Sequence, residues 1–193
     1  MTPQPPPPDK KSVKAAIRVG FRATCDAVVD ACRKHSWNDG ACVVAAVFVD
    51  GVVFIANLGD SKAVLSRQPP EAAPPHPPPK PCALKVHPFP CACAPLPTAT
   101  AKVLTQDHTA VLERDRIEAA GGRVVDGRVN GALAVSRSFG DVALRAAGVT
   151  SDPDLRIAFK VLPGRDEFLL LGCDGVWAYA PQSAVDSVRN RLA

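Results

Sequence analysis

The sequence predicts an α+β fold built from antiparallel sheets. Short apolar segments are joined by the turn dipeptides Asp50-Gly51 and Asp126-Gly127, which are typical of β-hairpins. Apolar residues at helical spacing occur in a few separate segments that do not alternate regularly with the strand-like ones. Because a doubly wound parallel sheet requires such alternation, the pattern favours antiparallel strands with helices between them.

The first predicted element is a helix over residues 12–35. Its apolar positions follow one another at intervals of three or four residues: Val13, Ile17, Phe21, Cys25, Val28 and Cys32. This spacing places them on one helix face, which should pack against the rest of the protein. Cys25 and Cys32 are expected to be buried there as small hydrophobic side chains.

Three strands are predicted next, at residues 41–49, 52–57 and 63–66. Asp50-Gly51 makes the first connection a hairpin, and the segment 59–61 separates the second strand from the third. We expect these three consecutive strands to form an antiparallel meander.

The part of the chain after residue 102 repeats this mixture of helices and strands. Thr109 is expected to cap a helix over residues 110–120, with Val111, Ile117 and Ala120 facing inward. Further predicted elements are a hairpin around Asp126-Gly127, strands at 156–162 and 167–172, and a helix that begins at Pro181.

Prolines divide the chain into blocks. Of the 20 prolines, five lie within residues 3–8 and twelve within residues 69–97. Because Pro-Pro pairs favour extended backbone without hydrogen bonds, we expect a proline-rich tail at 1–10. We also expect one domain over 11–193, interrupted by a disordered insertion at 68–101. This insertion is either a surface feature or a misread gene segment, such as an unspliced intron. Its composition is also typical of ligands for SH3- or WW-type domains.

Charge and composition exclude several classes of function. Lys and Arg number 23 against 19 Asp and Glu, and a net charge of +4 is too mild to indicate nucleic-acid binding. No apolar run approaches the ~18–20 residues of a membrane helix, and the N-terminus lacks an apolar signal segment. The seven cysteines are an odd number, so we expect a reduced intracellular location, cytoplasmic or nuclear.

Two aspartates are candidate metal ligands, because each follows an apolar strand at a glycine-containing turn. Asp60 comes directly after Gly59, and Asp174 directly precedes Gly175. Carboxylates at the ends of buried strands are held rigidly, and such hard oxygen ligands suit Mg²⁺ or Mn²⁺. Since aspartate also caps turns well, the residues alone leave both roles open.

A series of motifs runs through the two foldable blocks, 11–66 and 102–193. The motifs lie at residues 39–41, 55–65, 104–108, 116–122, 126–131, 133–141, 149–154 and 171–177. In this order they resemble the metal-dependent protein serine/threonine phosphatases of the PPM or type 2C family, with the integrin-linked-kinase-associated phosphatase branch closest. The resemblance implies a β-sandwich flanked by helices and the hydrolysis of phosphoserine and phosphothreonine in phosphoprotein substrates.

The resemblance also implies a mechanism and roles for the two aspartates. In the family, two divalent ions activate a shared water that attacks the phosphorus in line. By position, Asp174 is similar to a direct ligand of this metal centre, and Asp60 to the acidic residue that helps hold an additional, weaker ion. No catalytic residue is identifiable, because nothing here matches the family's early Asp-Gly-His-Gly motif.

The set of metal ligands is smaller than the family pattern. The late Asp-Asn motif has no match, and Ala178 stands where many members carry an acidic residue. Because affinity rises with ligand number and charge, two carboxylates are expected to hold one ion weakly. We therefore expect little or no phosphatase activity from these residues. The alternatives are a catalytically dead phosphatase-like binding module and an incomplete gene model, truncated at both ends.

Nucleophilic side chains offer a different catalytic hypothesis. Ser136, Ser138 and Cys173 are candidates, but no histidine stands in a convincing partner position, and only His108 lies in a family-like motif. The segment 136–141 is better explained as a fixed turn in which Arg137 and Asp141 pair or cap.

Overall fold

The computed structural model describes residues 8–69, 99–178 and 180–192. The helices are α1 (Lys10–His35), α2 (Arg114–Ala119) and α3 (Pro181–Leu192), with a 3-10 helix over Val142–Ala147. The strands are β1 (Gly40–Ala41), β2 (Val43–Val49), β3 (Val52–Leu58), β4 (Lys62–Arg67), β5 (Thr100–Val103), β6 (Val124–Val125), β7 (Arg128–Val129), β8 (Phe139–Gly140), β9 (Ala158–Lys160) and β10 (Asp166–Gly172). Within these described ranges, no helix has the length and apolar character needed to cross a membrane.

Two three-stranded antiparallel sheets pack face to face. One sheet has the order β2-β3-β9 and the other β10-β4-β5. The core between them joins Val53 and Ile55 of β3 to Ala63 and Leu65 of β4, with Leu104 in the same cluster. Alternate residues of a strand point to the same face, so these positions form the interior of a sandwich. The predicted α+β sandwich with flanking helices is confirmed.

Helix α1 packs against the sandwich where β3 ends. Cys25 joins Leu58 of β3 and Phe139 of β8 in one buried cluster, and Cys32 is also buried, as predicted. The helix begins at Lys10, inside the stretch predicted to be a tail. The cause is a cap: the Asp9 carboxylate accepts a hydrogen bond from the Ser12 backbone N–H at 2.8 Å.

Both predicted hairpin turns are confirmed. Asp50 and Gly51 have φ values of 48° and 73°, and Asp126 and Gly127 have 49° and 73°. Two successive positive φ values match the right-handed twist of the flanking strands, and the Asp-Gly dipeptide tolerates them. The first turn joins β2 to β3, and the second joins β6 to β7.

The predicted three-stranded meander is wrong at its third strand. Strand β4 does not continue the sheet of β2 and β3; it pairs with β10 and β5 instead. The turn at residues 59–61 carries the chain across the sandwich, so Ala63 and Leu65 face β3 rather than lie beside it. The two strands predicted around 156–172 are likewise divided between the sheets, because β9 pairs with β3 and β10 with β4.

The helix predicted at 110–120 is shorter than expected. Residues 110–113 form turns before α2 begins at Arg114, and the Ala110 N–H donates to the Ala134 carbonyl. Thr109 still accepts a hydrogen bond from the Leu112 N–H, at 3.3 Å. Ile117 is buried as predicted. Val111 is 56% exposed and Ala120 is also exposed, so the inward prediction is wrong for both.

The predicted insertion at 68–101 ends earlier than its assigned boundary. Thr100 and Ala101 belong to strand β5, which pairs with β4 from Arg67 to Val64. Residues 1–7 and 70–98, which carry most of the predicted tail and insertion and the proposed SH3- or WW-type ligand, lie outside the described residues.

Candidate functional site at one end of strands β4 and β10

The two candidate metal ligands lie at the same edge of one sheet. The last paired positions of β4 and β10 are Lys62 and Gly172, which stand opposite each other. Asp60 lies two residues before the first and Asp174 two residues after the second. Because the strands are antiparallel, both aspartates emerge at the same end of the pair, although 114 positions separate them along the chain.

Asp60 is half-buried beside the thiol of Cys42. Burial raises the pKa of the Cys42 thiol to about 11, and the negative charges of Asp60 and Asp141 act in the same direction. A second carboxylate, that of Asp141, therefore also acts on the Cys42 thiol. Asp141 itself accepts a hydrogen bond from the Ser138 hydroxyl at 2.5 Å.

The turn that carries Asp60 is held by His108. The Gly59 N–H donates to Nδ1 of His108 at 3.1 Å, and the His108 N–H donates to the Gly59 carbonyl at 2.9 Å. His108 is 4% exposed. Burial, followed by the charge of Arg137, lowers the pKa of its imidazole, which is consistent with a neutral ring that accepts at Nδ1.

The cation nearest to Asp60 in sequence is already paired. Lys62 Nζ donates to both carboxylate oxygens of Asp107, at 2.5 and 2.6 Å, and lies 3.5 Å from the Asp60 carbonyl oxygen. The Asp107 charge therefore offsets the Lys62 charge, and the Asp60 carboxylate forms no ion pair with the other residues that the structure describes.

Asp174 is exposed at the start of a tight turn. Its carboxylate accepts a hydrogen bond from the Gly175 N–H at 2.8 Å. The indole N–H of Trp177 donates back to the Gly172 carbonyl at 2.6 Å, which closes the turn. Ala178, at the end of the same turn, is exposed and contributes no ligand.

By number and charge, the two carboxylates are enough for one hydrated divalent cation and too few for a carboxylate-bridged pair of ions. In the parts of the chain that the structure describes, no group of three or more His, Cys, Asp or Glu side chains is arranged to hold a metal. Mg²⁺ commonly keeps several waters and binds through one or two carboxylates, so Asp60 and Asp174 together suit a single, weakly held ion. Two adjacent ions require more negative charge than these side chains provide.

The expected pairing of Arg137 with Asp141 is wrong. Arg137 instead donates to both carboxylate oxygens of Glu113, which also accepts from the Ser136 hydroxyl at 2.7 Å and from Arg116 at 2.6 Å. Burial alone would raise the pKa of Glu113, but the hydrogen bonds from Arg137, Ser136 and Arg116 outweigh it and lower the pKa to about 2. Because Glu113 stands outside the 136–141 motif, local spacing gave no signal of this partner.

The same network gives the serines a structural role. Ser136 and Ser138 are 0% and 1% exposed, and their hydroxyls donate to Glu113 and Asp141. Among the candidate nucleophiles only Cys173 is exposed. The contacts around the two serines are those of a fixed turn rather than a nucleophilic centre.

A polar cleft of about 500 Å³ opens next to His108. Helix α1 and the segments 106–108 and 152–156 contribute to its walls. Most of its charged groups are paired across or along the walls, as in Arg18 with Asp152 and Arg156 with Asp154. The cleft therefore presents a nearly neutral, hydrogen-bonding surface.

Comparison with known proteins finds a family whose members have similar sequences. A family model described as protein phosphatase 2C matches residues 4–193. The chain is 39% identical over 188 residues to probable protein phosphatase 2C 8 of Arabidopsis thaliana, covering 95% of this chain and 49% of that protein. It is 36% identical to the human integrin-linked kinase-associated serine/threonine phosphatase 2C, covering 95% of this chain and 41% of that protein. The chain thus spans about half the length of the curated relatives that it matches.

The fold also has solved counterparts. The structure of a serine-threonine phosphatase 2C from Toxoplasma gondii superposes with a TM-score of 0.70 at 20% identity, covering 93% of this chain and 56% of that one. A sex-determining protein of C. elegans superposes with a TM-score of 0.65 at 22% identity, covering 89% and 36%. At these identities the likeness concerns the fold.

Proposed function

The chain belongs to the protein phosphatase 2C family, and we propose that it forms part of the catalytic domain of a metal-dependent protein serine/threonine phosphatase. The observation that supports this most strongly is the position of Asp60 and Asp174. Two strand-end carboxylates that are far apart in the chain emerge at one edge of the sheet, where the resemblance assigns metal ligands. Substrates of this class are phosphoserine and phosphothreonine side chains of other proteins.

Asp174 and Asp60 are the residues that would hold Mg²⁺ or Mn²⁺. When bound, a divalent cation of this kind activates water and neutralises the charge on a phosphoryl group. The protein contributes two carboxylates on rigid strand ends, with the Asp174 turn closed by Trp177 and the Asp60 turn held by His108. The pairing of Lys62 with Asp107 leaves the negative charge of Asp60 available to a cation.

A binding module without catalysis is the second candidate function. It is favoured by the small donor set, since the described residues offer no group of three metal-binding side chains. Two carboxylates are expected to retain one ion and to give little or no turnover. The polar cleft beside His108 would then contact a phosphoprotein without hydrolysing a phosphate ester.

One assay separates the two functions. The 193-residue chain is incubated with a phosphothreonine peptide and millimolar Mn²⁺, and phosphate release and peptide binding are measured together. The chain is an enzyme if Asp174→Ala abolishes its turnover while Asp26→Ala, a substitution at an exposed helix position, leaves the turnover unchanged. Binding without turnover, our expectation for these residues alone, identifies the module. A chain that neither binds nor hydrolyses the peptide contradicts both.

An intracellular, reducing location is part of the proposal. Cys25, Cys32, Cys42 and Cys173 are free thiols in the described residues, and Cys25 and Cys32 are buried as small apolar groups. Microscopy of the tagged protein tests this, and accumulation in the secretory pathway would contradict it.

A further inference from the structure

We propose that His108 is a positioning residue for the metal ligand Asp60, an inference that rests on the proposed function. His108 lies 48 positions after Asp60 and is not part of any metal-binding group among the described residues. It acts through Gly59, the residue that directly precedes Asp60 and sets the direction in which the Asp60 backbone leaves the turn.

His108 forms hydrogen bonds with both backbone polar groups of Gly59. The Gly59 N–H donates to the ring Nδ1 at 3.1 Å, and the Gly59 carbonyl accepts from the His108 N–H at 2.9 Å. Asn57 Nδ2 lies 3.4 Å from the same carbonyl. The N–H and the carbonyl of Gly59 belong to the planar peptide units on either side of its Cα, so hydrogen bonds to both restrain the φ and ψ angles between those units.

Gly59 needs such a restraint because its conformation is an unusual one. Its φ of +102° is in the region open to glycine, and a Cβ on it would lie 2.2 Å from Sγ of Cys42. The position therefore requires the residue with the greatest backbone freedom. Without a restraint on Gly59, rotation about its backbone bonds would change the orientation of Asp60.

His108 can hold Gly59 because it is itself fixed. Its side chain is buried, and its carbonyl accepts the Ser136 N–H at 2.8 Å, which links it to the segment beside Glu113. The restraint on Asp60 is thus anchored in the interior of the protein rather than in the exposed rim. Groups that orient a metal ligand in this way commonly change metal affinity about 10–100-fold when they are replaced.

The test compares two variants of the full chain that differ in where an acceptor is placed. His108→Asn puts an amide oxygen at the position of Nδ1, whereas His108→Gln places it one bond further along the side chain. Mn²⁺ affinity, measured by electron paramagnetic resonance of the free ion, is expected to fall about ten-fold in His108→Gln and to recover largely in His108→Asn. Thr105→Val removes an acceptor for the nearby Ala63 N–H and is expected to leave the affinity unchanged.

A double-variant cycle distinguishes positioning from general stability. In an Asp60→Asn background, His108→Gln should cause no further loss of affinity, because the ligand that it orients is gone. Equal losses in both backgrounds, or an unchanged affinity in His108→Gln, would overturn the inference. If Asp60→Asn itself leaves the affinity unchanged, or the chain binds no Mn²⁺, the proposed metal site fails instead.

A measurement on the unmodified chain covers the case in which a His108 variant does not fold. Titration with diamagnetic Mg²⁺ is followed by nuclear magnetic resonance at the Gly59 amide and the His108 ring nitrogens. The Gly59 amide and His108 ring signals are expected to shift with the same Mg²⁺ dependence as the Asp60 signal. A shift at Asp60 without any change at His108 would overturn the positioning role.

Discussion

Glu113 holds Arg137 through both of its carboxylate oxygens, and the Nε of Arg137 lies 3.0 Å from each. The Glu113 side chain is 15% exposed, and it also receives the Ser136 hydroxyl and Arg116. Arg137 extends the link by donating to the Asp152 carbonyl at 2.8 Å. The contact therefore ties the start of α2 to the 136–138 segment and to the loop that precedes β9.

Replacing Glu113 with glutamine should destabilise the protein in a pH-dependent way. The pKa of Glu113 is lowered from 4.5 to about 2, so its contribution is complete above about pH 4.5 and disappears as the pH falls toward 2. We expect Glu113→Gln to lower the free energy of unfolding by about 2 kcal/mol at neutral pH and by much less near pH 2. Urea unfolding across this range measures the difference. A constant difference at every pH would contradict the assignment.

Cys42 should resist alkylation while Cys173 reacts. Burial and the neighbouring carboxylates raise the pKa of Cys42 to about 11, so little thiolate is present at about pH 8, whereas Cys173 is exposed. Peptide mass mapping after brief iodoacetamide treatment should find Cys173 labelled first. Asp60→Asn is expected to speed Cys42 labelling, because it removes one of the negative charges beside the thiol. Equal rates at the two cysteines in the unmodified chain would contradict this prediction.

The chain should bind one Mn²⁺ weakly rather than two tightly. With Asp60 and Asp174 as the only protein ligands proposed, we expect one ion per chain, and stabilisation of about 1.4 kcal/mol at a concentration ten times Kd. Calorimetric titration and thermal unfolding, with and without a chelator, test this. Asp174→Asn should remove most of the effect, with Asp26→Asn as the matched control. Two tightly bound ions per chain would contradict the single-ion description.

Gly59→Ala should be among the most damaging small substitutions. The new Cβ would lie 2.2 Å from Cys42 Sγ, and φ is +102°, so strain and overlap add. We expect a loss of about 2–3 kcal/mol in the free energy of unfolding, measured by urea denaturation.

Gly20→Ala is the matched control, because that glycine lies inside α1 and a Cβ added to it would have nothing within 4 Å. It should stabilise the helix by about 0.5–1 kcal/mol. Similar effects of the two alanine substitutions would show that the Gly59 turn is less constrained than its geometry indicates.

Local signals predicted the local elements well. The helical spacing of α1 and the Asp-Gly turns at 50–51 and 126–127 depend on neighbouring residues, which the sequence displays directly. The sheet partner of β4 was missed because its apolar pattern fits either sheet. The chain passes to the other sheet at the turn over residues 59–61, and the tertiary contacts of that turn, such as the hydrogen bond from the Gly59 N–H to His108, are not visible in local sequence.

In the candidate site, too, the features set by neighbouring residues were predicted and those set by tertiary packing were missed. Asp60 and Asp174 were found from their positions after apolar strands, but only the resemblance assigned Asp174 to a metal centre and Asp60 to an additional, weaker ion, since periodicity says nothing about residues 114 positions apart. The Glu113 partner of Arg137 and the contact of Cys42 with Asp60 depend on tertiary packing. The family-like motif at 104–108 drew attention to His108, but nothing in the sequence indicated that its hydrogen-bond partner is Gly59.

The facing ends of β4 and β5 are directly paired: Thr100, the first residue of β5, stands opposite Arg67, the last residue of β4. The chain therefore departs from the sheet and returns to it one strand spacing away, a gap of about 4.8 Å that a two-residue turn can bridge. The register of the two strands is defined by the pairs from Val64–Val103 to Arg67–Thr100, all of which lie outside the connecting segment. This junction is thus a natural point for grafting: a reporter domain, an affinity tag or a minimal turn spliced there should leave the strand order of the sandwich unchanged.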